Sequence, residues 1–278
     1  MQNTLVIGSG RVGLAFTNEL SILNYEALNI GVRAQSELRQ VFDELSKFDT
    51  IFWCARDAGT PNNETNCEAI FLDLLKHLEL SSWNGLFVFL STAGEIYGDS
   101  KIFENSEESP TNPTSLYGER KLSHEKEISK ISMKVGFNVL VLRISNIYEL
   151  NTEDQGIVGS ILRHLVMQES LTIIGGHQER DFILLSDVAK IGIKLAEKNC
   201  DSVFNIATGF PKSILNLVSL FEDIFDKKAE SLLLGDHDGV LTANFSIAKM
   251  ASKIEDLPRN IDSVVNLYFQ KPNLFLPD

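Results

Sequence analysis

Cysteine is scarce in this chain, with three in 278 residues: Cys54, Cys67 and Cys200. An odd number at unpatterned spacing argues against a disulfide framework and against a zinc site. Histidine and aspartate do not supply a metal site either. His177, Asp236, His237 and Asp238 show no ligand spacing on one element, so no metal is expected. A basic excess is also missing. Lys and Arg number 25 against 38 Asp and Glu, a formal net charge of −13. That balance disfavours nonspecific binding to nucleic acid or to an anionic membrane. No apolar run approaches the roughly 20 residues that cross a bilayer. The first residues enter a strand with no basic leader, so the cytoplasm is the expected location. Seven prolines and 18 glycines form no linker, repeat or low-complexity tract.

What is there is an ordinary globular composition, 44% hydrophobic and 23% charged. Apolar runs at residues 5–7, 50–55, 86–90 and 139–144 read as buried strands, and residues 27–32 as another. Between them, residues 12–23, 36–45 and 66–78 carry apolar side chains at helical spacing. Unbroken apolar strands alternating with helices predict an α/β fold, a Rossmann-like doubly wound parallel sheet. After about residue 150 the rhythm loosens, with short strands expected at 171–174 and 203–206. The expected division is a dinucleotide-binding domain over 1–150 and a smaller C-terminal substrate-binding lobe over 151–278, sharing elements with the sheet.

The first strand runs into Gly8-x-Gly10-x-x-Gly13 and then a helix. The first glycine permits a tight turn and the second a close approach of pyrophosphate to the backbone. The third lets helix and strand pack closely, while the helix N-terminus presents N–H groups to the anion. An Asp or Glu at the end of the second strand would hold the ribose hydroxyls of NAD. Here the stretch reads Asn29-Ile30-Gly31-Val32-Arg33. Arg33, with Arg11, suits a 2′-phosphate and favours NADP over NAD; both arginines could equally be solvated surface residues. Arg143 and Arg180 are candidates for a phosphate pocket.

Tyr117 and Lys121 stand four apart in a helical stretch and therefore share a face. An ammonium beside a phenol stabilises the phenolate and brings proton transfer towards neutral pH. Upstream, the strand at 86–90 ends in the hydroxyls of Ser91 and Thr92.

Together these segments resemble the extended short-chain dehydrogenases/reductases, the NAD-dependent epimerase/dehydratase family. The resemblance rests on the glycine turn, Ser91-Thr92 with Ile96-Tyr97-Gly98, and Pro113 with Tyr117-Gly118 and Lys121. It extends through Arg143, Asn146 and Tyr148, Arg180-Asp181-Phe182 with Asp187, and Phe204-Asn205-Ile206. It implies a reductase or epimerase of a nucleotide-activated sugar, working as a homodimer. Tyr117 would be the acid/base, Lys121 its tuning partner and a grip on the nicotinamide ribose. Thr92, or else Ser91, would bond the reacting sugar oxygen. Asn146 and Arg180 would hold the nucleotide diphosphate, and Asn66 would lie near the floor of the site. The chain departs from the family pattern at Ala93, where a hydroxyl is usual, and lacks one strand–helix unit before residue 50. A catalytically silent dinucleotide sensor on the same fold is the alternative.

Overall fold

The structure is a computed structural model that describes residues 2–56, 67–100, 104–228, 231–235 and 239–270. The chain divides into two compact units, each discontinuous in sequence. One comprises Met1–Thr92, Glu119–Arg143 and Ala189–Phe204; the other comprises Ala93–Gly118, Ile144–Val188 and Asn205–Asp278.

In chain order the elements begin with β1 (Asn3–Ile7), α1 (Arg11–Ile22), β2 (Glu26–Ile30), α2 (Gln35–Phe42), β3 (Thr50–Trp53) and α3 (Cys67–Leu80). Then come β4 (Leu86–Thr92), α4 (Leu116–Val135), β5 (Asn138–Ile144), β6 (Asn146–Tyr148), α5 (Ile157–Met167) and β7 (Leu171–Ile174). Next are β8 (Glu179–Leu184), α6 (Leu185–Glu197), β9 (Ser202–Ile206), β10 (Pro211–Ser213) and α7 (Ile214–Phe225). Last are β11 (Ser231–Leu234), β12 (Thr242–Ala243), α8 (Ala248–Ala251) and α9 (Ile261–Gln270).

The first unit is built on a six-stranded sheet in the order β2-β1-β3-β4-β5-β9. The β1–β2, β1–β3 and β3–β4 pairs are parallel. The apolar runs explain this: β3 is buried throughout and β4 is buried along all but its last residue, so both faces are covered. Trp53, Phe71 and Phe89 stack in sequence across one face, with ring centroids 5.0 and 5.8 Å apart. α1 buries Gly13, Phe16 and Leu20, the stripe its spacing demands. Because β2 and β3 flank β1, the strand order reverses beside β1. Such a reversal opens a crevice at the carboxyl ends of the strands.

Some boundaries differ from the sequence reading. β2 stops at Ile30, where Gly31 follows, two residues short of Val32. α2 stops at Phe42, and Leu45 reaches the core from a short 3-10 turn at Leu45–Lys47 instead. β4 runs past Leu90 through Thr92, and the Ala93 amide donates to the Ile144 carbonyl just beyond. No strand–helix unit stands between α2 and β3, which leaves β2 as the sheet edge.

The second unit centres on β8, which pairs antiparallel with β10 and parallel with β6 and β12. Its core gathers Tyr148, Leu162, Phe182, Leu217, Phe221 and Val264. A smaller apolar cluster joins Ala93 and Tyr97 to Phe245.

Candidate active site

The glycine turn is built as its spacing requires. Gly8 has φ +127°, and a Cβ there would lie 2.9 Å from the Ala55 nitrogen and the Cys54 carbonyl carbon. The ends of β1 and β3 touch at this point, which only glycine permits. A Cβ on Gly13 would lie 1.8 Å from the Gly8 oxygen, so α1 packs directly on the turn. Gly10 is different: a Cβ there meets nothing within 4 Å. Its backbone is extended (φ −81°, ψ 179°), and as the N-cap of α1 it brings no side-chain cap of its own. Open space beside Gly10 at the helix N-terminus fits a pyrophosphate. Asn29, which the sequence reading passed over, donates to the Gly8 oxygen at 3.0 Å and steadies the turn. Only its place at the end of β2 could have marked it.

Substitution at these two glycines is therefore expected to separate folding from binding. Gly10→Ala should change stability by no more than about 0.5 kcal/mol. It should weaken dinucleotide affinity by about tenfold or more, measured by calorimetric titration. Gly13→Ala should lower the melting temperature itself. Equal dinucleotide affinity in Gly10→Ala and the unaltered chain would refute the cradle.

At the other end of the first unit's site, β4 meets α4. The Lys121 ammonium is buried, donates to the Leu90 carbonyl at 2.7 Å, and sits 4.7 Å from the centroid of the Phe89 ring. Burial pushes the Cys54 thiol pKa well up, while the Lys121 charge pulls the other way, so the end of β3 lies within electrostatic reach of Lys121. Ser91 is buried and donates to Glu125 Oε1 at 2.5 Å. Thr92, the next residue, is half-buried. Arg143, a phosphate candidate from sequence, instead forms a buried ion pair with Glu125, Nη2 to Oε2 at 2.7 Å. His124 is half-buried and packs on the Phe71 ring, centroids 4.2 Å apart. Tyr117, 37% exposed, lies one turn before Lys121 on α4. Arg11 and Arg33 are both exposed.

In the second unit, the start of α4 is set by Gly118. A Cβ there would lie 2.4 Å from the Glu95 oxygen, so the residue after Tyr117 packs on the backbone that follows β4. Ser115 Oγ accepts from the Gly118 amide at 3.1 Å and closes the first turn. Asn146 opens β6, its Oδ1 3.5 Å from where a Gly94 Cβ would stand. Arg180 lies on β8 and donates to the Glu179 carbonyl at 2.8 Å. Burial pulls its pKa down from the usual arginine value, and Glu95 and Asp99 push it back up. Asp181, next along, is fully buried and accepts from Ser145, Thr208, Gly209 and Phe210. Its extent could not be read from sequence, because its partners lie 27 or more residues away. Asn66, Asp236, His237 and Asp238 lie outside the described residues.

A glycine turn at the switch point of a parallel sheet, with a Tyr-x-x-x-Lys stretch on the helix that follows β4, defines a Rossmann-type fold. The chain belongs to the NAD dependent epimerase/dehydratase family, whose model matches residues 7–207. It is 29% identical over 188 residues to a putative UDP-glucose 4-epimerase of Methanocaldococcus jannaschii, covering 64% of this chain and 61% of that protein. The matched stretches span 61%, 46% and 48% of the lengths of three curated relatives, about half overall. The fold matches the UDP-glucose 4-epimerase of Thermotoga maritima, solved with UDP-glucose, with a TM-score of 0.84 and 23% identity. That match covers 99% of this chain and 100% of the other. It also matches the Thermus thermophilus UDP-glucose 4-epimerase in complex with NAD, with a TM-score of 0.78 and 18% identity over 90% and 92% of the two chains. No helix among the described residues is long and apolar enough to cross a membrane.

Proposed function

We propose that this chain is an NAD(P)-dependent enzyme of nucleotide-activated sugars, and that its reaction is epimerisation rather than net reduction. The observation that carries this reading is Lys121, its ammonium buried at the end of β4 one helical turn from Tyr117. A fixed positive charge there favours phenolate and makes Tyr117 an acid/base group. The relatives named as UDP-glucose 4-epimerases support the choice of reaction.

When bound, the nicotinamide supplies the hydride acceptor and donor. The chain's own residues move and hold protons. Tyr117 Oη takes the hydroxyl proton from the sugar carbon being oxidised and returns it when that carbon is reduced. Lys121 stabilises the phenolate in between and holds the nicotinamide ribose. Thr92 donates to the same sugar oxygen, since the Ser91 hydroxyl is engaged by Glu125. Arg180 and Asn146 grip the diphosphate, for which a guanidinium is well shaped.

Incubation with UDP-glucose and NAD should yield the C4 epimer by proton NMR without net cofactor reduction. Net consumption of NADPH with a keto sugar would make the enzyme a reductase. Tight cofactor binding without turnover of either would favour the silent sensor, the reading that Ala93 supports.

Kinship gives NAD, the cofactor held by the solved Thermus relative. We further read the exposed Arg33, three residues past the end of β2 where no acid stands, as a grip on a 2′-phosphate that favours NADP. Arg33→Ala should then weaken NADP binding about tenfold to a hundredfold and leave NAD binding unchanged. Equal loss for both would refute the grip. The chain is also read as a cytoplasmic homodimer. Leu72 and Leu80 on α3 and Met133 on α4 are 48%, 72% and 79% exposed, and a monomer mass by light scattering would refute the pairing.

A further inference from the structure

One buried polar cluster in the first unit has no part in the proposed reaction. Ser91, Glu125 and Arg143 are 5%, 7% and 6% exposed. Ser91 Oγ donates to Glu125 Oε1 at 2.5 Å. Arg143 Nε donates to the same oxygen at 3.2 Å, and Nη2 donates to Oε2 at 2.7 Å. One residue earlier on β4, the Leu90 carbonyl accepts from Lys121 Nζ at 2.7 Å.

Stability is a poor account of such a cluster. Desolvating a buried ion pair cancels most of its attraction, and apolar replacements of both partners are often neutral. What the cluster supplies is register. Adjacent residues of β4 are tied to consecutive turns of α4, Leu90 to Lys121 and Ser91 to Glu125. A single tether would let the helix roll, and with side chains reaching about 5 Å from its axis a roll of about 20° moves a tip by about 2 Å. Two tethers fix rotation and translation together. The cluster also removes a competitor. Glu125 lies four residues beyond Lys121, the spacing at which carboxylate and ammonium pair on a helix. Ser91 and Arg143 occupy both oxygens of Glu125, which leaves the ammonium on the Leu90 carbonyl.

We propose that Ser91, Glu125 and Arg143 are positioning residues that lock α4 to the end of β4 and so hold Lys121, and with it Tyr117, in place. This rests on the reading of Tyr117 and Lys121 as the acid/base couple. Ser91 acts through Glu125 and does not touch the sugar.

The test uses the full chain with NAD and UDP-glucose in four forms: unaltered, Ser91→Ala, the pair Glu125→Leu with Arg143→Met, and all three changes together. Ser91→Ala should lower kcat about tenfold to a hundredfold with KM unchanged, and Ser91→Thr should restore it. The pair should lower kcat to a similar degree. Adding Ser91→Ala to the pair should cost nothing more, because the hydroxyl works only through Glu125. Multiplying losses, or a raised KM in Ser91→Ala, would assign Ser91 to the substrate and overturn the lock. Unchanged kcat in the pair would overturn it too. Should that pair fail to fold, Glu125→Met with Arg143→Leu, which likewise removes the acceptor, takes its place in the same cycle. An unaltered chain inactive on both epimers sinks the functional reading instead. The lock is then judged by hydrogen exchange, which Ser91→Ala should speed over residues 117–125 more than over 128–135; equal exchange overturns it.

Discussion

Tyr117→Phe should lower kcat by about a hundredfold to ten-thousandfold, the range over which a positioned acid/base group acts. That corresponds to roughly 2.7–5.5 kcal/mol of lost transition-state stabilisation. The substitution removes one oxygen and keeps the ring. The ring is 37% exposed, so little packing is at stake and the melting temperature should hold. Gly118 would still seat the start of α4 on the Glu95 backbone. Dinucleotide affinity should also hold, because the glycine turn and α1 are untouched and Lys121 keeps its bond to the Leu90 carbonyl. Turnover of UDP-glucose to its epimer, followed beside calorimetric cofactor binding, separates these effects. Equal turnover by both chains would remove Tyr117 from the mechanism. A fall in cofactor affinity matching the fall in turnover would make it a binding residue.

Much of this was legible in the sequence where a residue's role is imposed by its neighbours in the chain. Gly8 and Gly13 answer to steric demands within one turn, and both demands are met in the structure. β3 and β4 were legible because strands covered on both faces need unbroken apolar runs. The end of α2 was not, since Leu45 points into the core from a 3-10 turn as readily as from a helix. Polar partners separated in sequence were the least legible. Arg143 carries a guanidinium that suits phosphate and carboxylate alike. Only the fold, which brings it to Glu125 on a helix 18 residues earlier, decides between them. Glu125 carried no signal in the sequence, and Thr92 stood ahead of Ser91 with no hydrogen bond to decide between them. The distinction between those two hydroxyls lies in burial and in one hydrogen bond.

Asp181 carries the largest expected effect on stability. Its side chain is fully buried. Oδ1 accepts from Ser145 Oγ and from the Thr208 amide, each at 2.9 Å. Oδ2 accepts from Thr208 Oγ1 at 2.9 Å, the Gly209 amide at 2.7 Å and the Phe210 amide at 3.2 Å. The carboxylate thus ties β8 to the turn at Gly209, whose φ is +77°, and to the residue before Asn146. Asp181→Ala strips the acceptor from all of these donors at once. Each buried donor left unsatisfied costs about 1–3 kcal/mol, and partial rearrangement limits the total to about 3–5 kcal/mol. A domain's whole stability is about 5–15 kcal/mol, so urea unfolding should show a large loss or no folded population. Asp181→Asn gives the argument its sharper edge. With its amide oxygen towards Gly209 and Phe210, its NH2 faces Ser145, whose hydroxyl can turn to accept, while the Thr208 amide keeps only its 3.1 Å bond to the oxygen. Asparagine should therefore cost only about 1–2 kcal/mol. Equal damage from Ala and Asn would mean that the negative charge, not the acceptor geometry, holds this turn. Equal tolerance of both would mean that the turn stands without Asp181.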